Sequence, residues 1–221
     1  MEHLAPKSQE PTFSDELYEV FGLPASHSDL FLDALRIAWA RTSDLSDNHG
    51  AVFHGNNMWS WTLESVRNRL ILHGWVKKVE QHFDSTISPD GKVALVVTTG
   101  DYGTGLHHLK PKVKREKGTM MVKAIRCSGQ MSLFPSPQEV TVKPGIETWL
   151  FMYYRDRKQG VIRSEISLPL WFGGNMIKDW QRRIILPVLN ITSIDQESFI
   201  PDTLLEATQP IIDIELKRRT K

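Results

Sequence analysis

The apolar residues of this chain change their spacing at Gly74, and that change limits the folds open to it. Before Gly74 they recur at helical intervals. Leu30, Phe31, Ala34, Leu35, Ala38 and Trp39 fall on one face of a helix, about four turns long at 3.6 residues per turn. Ser26, with Asp29 three positions on, places a capping-box signature just ahead of it. Leu63, Val66 and Leu70 form a second stripe, with Ser60 or Thr62 as its cap residue and Gly74 as a left-handed stop. After Gly74 the pattern is that of strands. Trp75-Val76-Lys77-Lys78-Val79 reads as one, and residues 92–99, KVALVVTT, are β-rich and mostly apolar, as a central strand requires. Between them Ser88-Pro89-Asp90-Gly91 is a turn: proline fixes one dihedral and glycine accepts a positive φ. Helices followed by a sheet make an α+β protein.

The remaining segments fill in this plan. Residues 1–25 carry Pro and Ser with weak periodicity and read as an N-terminal arm, docked through Tyr18, Val20, Phe21 and Leu23. Residues 41–57 are rich in Ser, Asp, Asn and Gly and read as a loop. Residues 149–154 and 161–169 predict a β-hairpin turning at 156–160. In its second strand Val161, Arg163, Glu165 and Ser167 share one face, and Ile162, Ser164, Ile166 and Leu168 the other. Residues 175–186 place Met176, Ile177, Trp180 and Ile184 at helical spacing, with Lys178, Arg182 and Arg183 as a basic face, so a late amphipathic helix is expected there. The expected organisation is an arm (1–25), a helix–hairpin region (26–105), and a mostly antiparallel β-rich region (106–221) with a basic loop and a basic C-terminal tail.

Composition bears on function mainly through the position of the charges. The chain has 221 residues, 40% hydrophobic and 24% charged, the make-up of a globular protein rather than a disordered one. Its single cysteine, Cys127, excludes a disulfide framework and cysteine-based zinc fingers. No apolar run approaches the roughly 20 residues of a membrane helix, and no secretory signal is visible, so a cytoplasmic protein is expected. The net charge of +1 hides a segregation. Residues 1–65 hold 3 basic and 10 acidic residues, net −7; residues 66–126 hold 12 and 5, net +7; residues 127–221 hold 12 and 11, net +1. A basic segment in a neutral chain is the footprint of a polyanion partner.

The run RLILHGWV followed by DGKVALVVTTG resembles the end of the recognition helix and the wing hairpin of winged helix-turn-helix proteins, over residues 28–100. The resemblance implies a winged-helix N-terminal half, with Arg67, Asn68 and Arg69, next to Ser65, facing a DNA groove. It also implies that Lys77, Lys78 and Lys92 contact phosphates as the wing. The 17-residue polar loop 41–57 departs from that family, which keeps a helix there. Next comes GDYGTGLHHLKPKVKREKG, residues 100–118. It matches neither the P-loop nor the dinucleotide-binding glycine pattern. Pro111 breaks any helix, and Lys110, Lys112, Lys114, Arg115 and Lys117 suit a phosphate-contacting loop.

Catalytic signatures are incomplete, and no cofactor or metal site is expected. His49, His54, His107 and His108 lack the spacing of metal ligands. Metal-dependent nucleases set an Asp and an Asp/Glu-x-Lys on neighbouring strands. Here only Asp156, in Asp156-Arg157-Lys158, and Glu165 offer themselves as catalytic candidates. Gln130-Met131-Ser132-Leu133-Phe134, between Gly129 and Pro135, looks like the bacterial sliding-clamp-binding motif. That likeness implies that Leu133 and Phe134 fill an apolar pocket and that Gln130 hydrogen-bonds at a second subsite. Together these features point to a nucleic-acid-binding protein, DNA-binding by preference, acting in replication, repair, transcription or mobile-element and defence biology, with the sliding clamp as a partner. A metal-dependent nuclease and a non-catalytic subunit of a larger complex are the alternatives.

Overall fold

A computed structural model describes residues 12–46, 48–80, 83–113, 145–173 and 176–191. The clamp-type peptide, the basic tail, and Lys114, Arg115 and Lys117 lie outside them.

Three helices lead the chain: α1 (Phe13–Phe21), α2 (Leu30–Ser43) and α3 (Ala51–Ile71), with a 3-10 turn, Ala25–His27, between the first two. Part of the expected arm is therefore helix. The Thr12 N–H donates to Asp15 Oδ2 (2.9 Å) while the Asp15 N–H donates to Thr12 Oγ1 (3.3 Å), a reciprocal capping box. Leu17, Phe21 and Leu23 then carry this segment into the core. The capping box expected at Ser26 and Asp29 does not form. Ser26 lies in the 3-10 turn, and Asp29 precedes α2 without a side-chain bond. The loop expected over 41–57 shrinks to the residues between Ser43 and Ala51. The second apolar stripe starts one turn earlier than the larger side chains suggest. Met58, Thr62, Val66 and Leu70 are all buried at four-residue spacing, and the Thr62 hydroxyl donates to Met58 O (2.7 Å) instead of capping the helix.

The strands are β1 (Val76–Glu80), β2 (Phe83–Ile87), β3 (Val93–Thr99), β4 (Glu147–Asp156), β5 (Val161–Gly173), β6 (Met176–Ile185) and β7 (Leu189–Asn190). They form one sheet in the order β1-β2-β3-β4-β5-β6, with β7 on β5. Every pairing is antiparallel except β3 with β4, which run parallel from Val93↔Glu147 to Thr99↔Tyr153. The fold is thus α+β, with three N-terminal helices and a mixed, mostly antiparallel sheet. The winged-helix arrangement is not formed, because the hairpin that would be the wing is continuous with the sheet on which the helices pack. The turn Gly74 (φ 80°), the central position of β3 and the 156–160 hairpin turn match expectation.

The late helix is instead strand β6. Its register against β5 shifts at three places, between Leu168 and Phe172. One extra residue in a strand swaps the face of everything beyond it. Trp180 therefore packs with Val96, Leu150 and Met152 on one side of the sheet, while Ile184 packs with the helices on the other. Bulged strand residues acquire helix-like spacing in this way.

The helices cover one face, where Val93, Leu95 and Val97 of β3 and Trp149, Phe151 and Tyr153 of β4 line up. Phe31 meets Phe151 with ring centroids 5.0 Å apart, and Phe21 meets Trp149 at 5.5 Å. Loop residues 100–113 lie on the opposite face, bringing Val113 to the Val96–Leu150–Met152 cluster. No described helix is long and apolar enough to cross a membrane.

Gly105 in that loop has φ 73°, and a Cβ there would stand 2.8 Å from Arg163 Cβ. Gly22 has φ 65° with open space around it. Gly22→Ala is expected to cost about 1 kcal/mol from backbone strain alone. Gly105→Ala combines strain with a clash and is expected to cost at least about 2 kcal/mol. Urea denaturation of the two variants should preserve that order.

Candidate functional site

The basic residues singled out from the sequence do not converge. Arg67 points inward from α3, 8% exposed. Its Nη2 donates to Asp84 Oδ1 (3.0 Å) and to Ser85 O (3.2 Å), tying the helix to β2. Asn68 is exposed and Arg69 half-buried. Lys77 and Lys78 lie on the edge strand β1, where Lys78 pairs with Glu80 (3.1 Å); Lys92 pairs with Asp90 (3.6 Å). Lys110 pairs with Asp179 (2.9 Å) on the face away from the helices, and Lys112 is exposed nearby. Arg67 and the 100–113 loop are therefore on opposite faces of the sheet, and three of the lysines stand beside carboxylates.

The two acids proposed for catalysis are also separated and already occupied. Asp156 opposes Val161 and Glu165 opposes Met152. Four residue steps along the strands separate them, about 13 Å at 3.3 Å per residue. Asp156 pairs with Arg163 (3.3 Å) and accepts the Gln159 N–H in its turn. Glu165 is fully buried. It accepts from the Gly105 N–H (2.8 Å), the Ser167 hydroxyl (2.7 Å) and the Arg183 guanidinium through Nε (3.1 Å) and Nη2. Arg183 also donates to Leu109 O (2.7 Å) and Leu106 O (3.1 Å). Glu165 thus pairs with Arg183 under the 100–113 loop, not with Arg163 on a solvent face. Its role is to fasten that loop to the sheet. Among the described residues no three His, Cys, Asp or Glu side chains gather as metal ligands would.

A different place gathers charge. At the ends of the parallel strands β3 and β4, the corner between α2 and α3 stands away from the sheet. An open groove of about 1500 Å³ remains. One wall is helical, from Trp39 and Ser43 of α2 to His54 and Trp59 of α3; the other is Thr98 to Gly100 and Tyr153 to Arg155. The row that buries Trp149, Phe151 and Tyr153 on the helix face continues by alternation to Arg155, beyond the helices' cover. Arg155 and Arg157 both line the groove, with His49 and His54 opposite, and among the described residues no carboxylate lines it.

Arg155 is half-buried, and its guanidinium makes no ion pair or hydrogen bond among the described residues. Burial, reinforced by the charge of Arg157, lowers the pKa of its guanidinium below the usual arginine value. The α3 N-terminus adds positive potential nearby, since Gly50 supplies no capping side chain. Two buried polar atoms of groove residues lack partners: the Trp39 Nε1–H and the Tyr153 hydroxyl. Tyr153 is 2% exposed, and burial holds its phenol strongly protonated. The Thr62 hydroxyl lies beside the phenol and donates to Met58 O, its oxygen still able to accept. Trp59 is fixed by its Nε1–H, which donates to Val97 O (3.0 Å). The site can therefore neutralise an anion on one side and offer aromatic surface on the other.

Sequence reasoning missed Arg155, Arg157, Trp39 and Trp59, and treated His49 and His54 only as metal candidates. The legible signal was an apolar alternation, Trp149, Phe151, Tyr153, ending in arginine. Gln130, Leu133, Phe134, Lys114, Arg115 and Lys117 lie outside the described residues. Comparison with protein-family models, with curated proteins and with solved structures returns no match for this chain.

Glu165→Ala would leave Arg183 buried without its counter-charge, and breaking such a pair costs about 3–5 kcal/mol. Urea unfolding should register that loss. A change under about 1 kcal/mol would return Glu165 to the functional candidates.

Proposed function

We propose that this is a nucleic-acid-binding protein, with DNA as the expected ligand, and that the groove at the ends of β3 and β4 is where it grips phosphate. The observation that carries the reading is Arg155, a half-buried guanidinium with no counter-ion among the described residues, beside Arg157 and in a groove that no described carboxylate lines. A protein interior does not normally keep an unpaired cation. A phosphodiester would supply the missing charge and accept the guanidinium donors. In the basic middle third, the described residues provide no acidic partner for Lys77, Lys112 and Arg69. Its other lysines stand beside Glu80, Asp90 and Asp179.

The peptide Gln130–Phe134 gives this reading a place of action. A sliding-clamp contact would bring the protein to replicating or repaired DNA. Leu133→Ala together with Phe134→Ala is expected to abolish capture by an immobilised clamp, while undiminished capture removes the clamp as a partner.

The groove is tested by fluorescence anisotropy with labelled oligonucleotides, single-stranded and duplex, across a salt series. Arg155→Ala with Arg157→Ala is expected to weaken binding. It should also flatten the slope of log affinity against log salt by about 1.5 units, since each phosphate contact contributes about 0.7–0.9. Lys78→Ala should change neither by more than about twofold, because Lys78 is exposed and paired with Glu80. No binding at low salt to either form would overturn the reading.

A further inference from the structure

We infer that the groove takes single-stranded rather than duplex nucleic acid, with a phosphate between Arg155 and Arg157 and unstacked bases against Trp39 and Trp59. The inference rests on the nucleic-acid reading above and narrows it. Shape is the first argument. Proteins that read a duplex push a helix or a two-stranded ribbon into a major groove about 12 Å wide. Here the lining residues form a recess between a helical corner and the sheet, so the ligand must enter the protein.

The walls give the second argument. Trp39 and Trp59 are half-buried, and both line the recess. The Trp59 indole is held by its bond to Val97 O, so stacking on it loses little side-chain freedom. Base faces are open in a single strand and covered by neighbouring pairs in a duplex. Charge is the third argument. Two arginines make two phosphate contacts, fewer than the 6–10 on which tight duplex binding commonly rests.

The test uses the full chain, a labelled oligo(dT) and a hairpin duplex of equal nucleotide count, read by anisotropy and by tryptophan emission. The expected result is oligo(dT) binding at least about tenfold tighter than the duplex, the effect of roughly one stacked base. Indole quenching should saturate at the same strand concentration as the anisotropy. Arg155→Ala with Arg157→Ala, which removes no described bond, should release the strand. Equal or tighter duplex binding overturns the inference and leaves the nucleic-acid reading standing. Single-strand binding without quenching, or unaltered by the double variant, also overturns it, because the strand would then lie elsewhere. Binding of neither ligand removes both readings.

Discussion

Two neighbouring strands that run in the same direction must leave the sheet at the same end, and the parallel pairing of β3 with β4 imposes that on this protein. Seven consecutive positions pair from Val93↔Glu147 to Thr99↔Tyr153. The chain that leaves β3 must travel back before β4 begins, as every parallel connection does. Residues 100–113 start that return on the face away from the helices. At that end β4 turns into β5 through residues 156–160, and the recess lies between this end of the two strands and the α2–α3 corner.

The constraint explains where the polar groups of the sheet are placed. Glu165 and Arg183 face the returning loop and are consumed in holding it: the carboxylate takes the Gly105 N–H, and the guanidinium takes two loop carbonyls. Arg163 is consumed by Asp156 and by Tyr102 O (3.0 Å). Arg67 is consumed on the helix face by β2. Each of these charges has an opposite charge beside it, as an interior requires. Arg155 shares the sheet but not the circumstance. It is the next residue in the row after Tyr153 and falls past the helices, where no described acid meets it. Fold and candidate site therefore meet in one strand, whose row passes from core to recess in a single alternation.

Much of the architecture is legible in the sequence itself. The α2 and α3 stripes, the turn at Gly74, the central strand β3 and the β4–β5 hairpin are strong local signals, each carried by periodicity or by a residue with one conformational role. The rest depends on contacts that spacing along the chain does not encode. Thr62 lies in the α3 stripe only because its hydroxyl is satisfied by Met58 O. The spacing of Ile177, Trp180 and Ile184 looks helical because β6 is bulged, and bulges arise from pairing with β5. The candidate site is the least legible part. A charge count places the positive excess in residues 66–126, yet it cannot see that Lys78, Lys92 and Lys110 stand beside acids. The groove instead draws its arginines from a segment whose net charge is +1.

The unpaired arginine also bears on why this fold would keep such a residue. Holding a guanidinium half out of water beside a second one opposes folding, and the same conflict lowers the pKa of Arg155. Replacing it by an uncharged residue would remove that conflict, so on stability alone the position favours substitution. Arg155 thus departs from the paired charges found at Glu165 and Arg67 elsewhere in the fold. Natural proteins break local rules mainly where a ligand repays them. A phosphate-bearing strand with exposed bases would answer that departure and use the rest of the recess: its charge to Arg155, and its base faces to the indoles of Trp39 and Trp59.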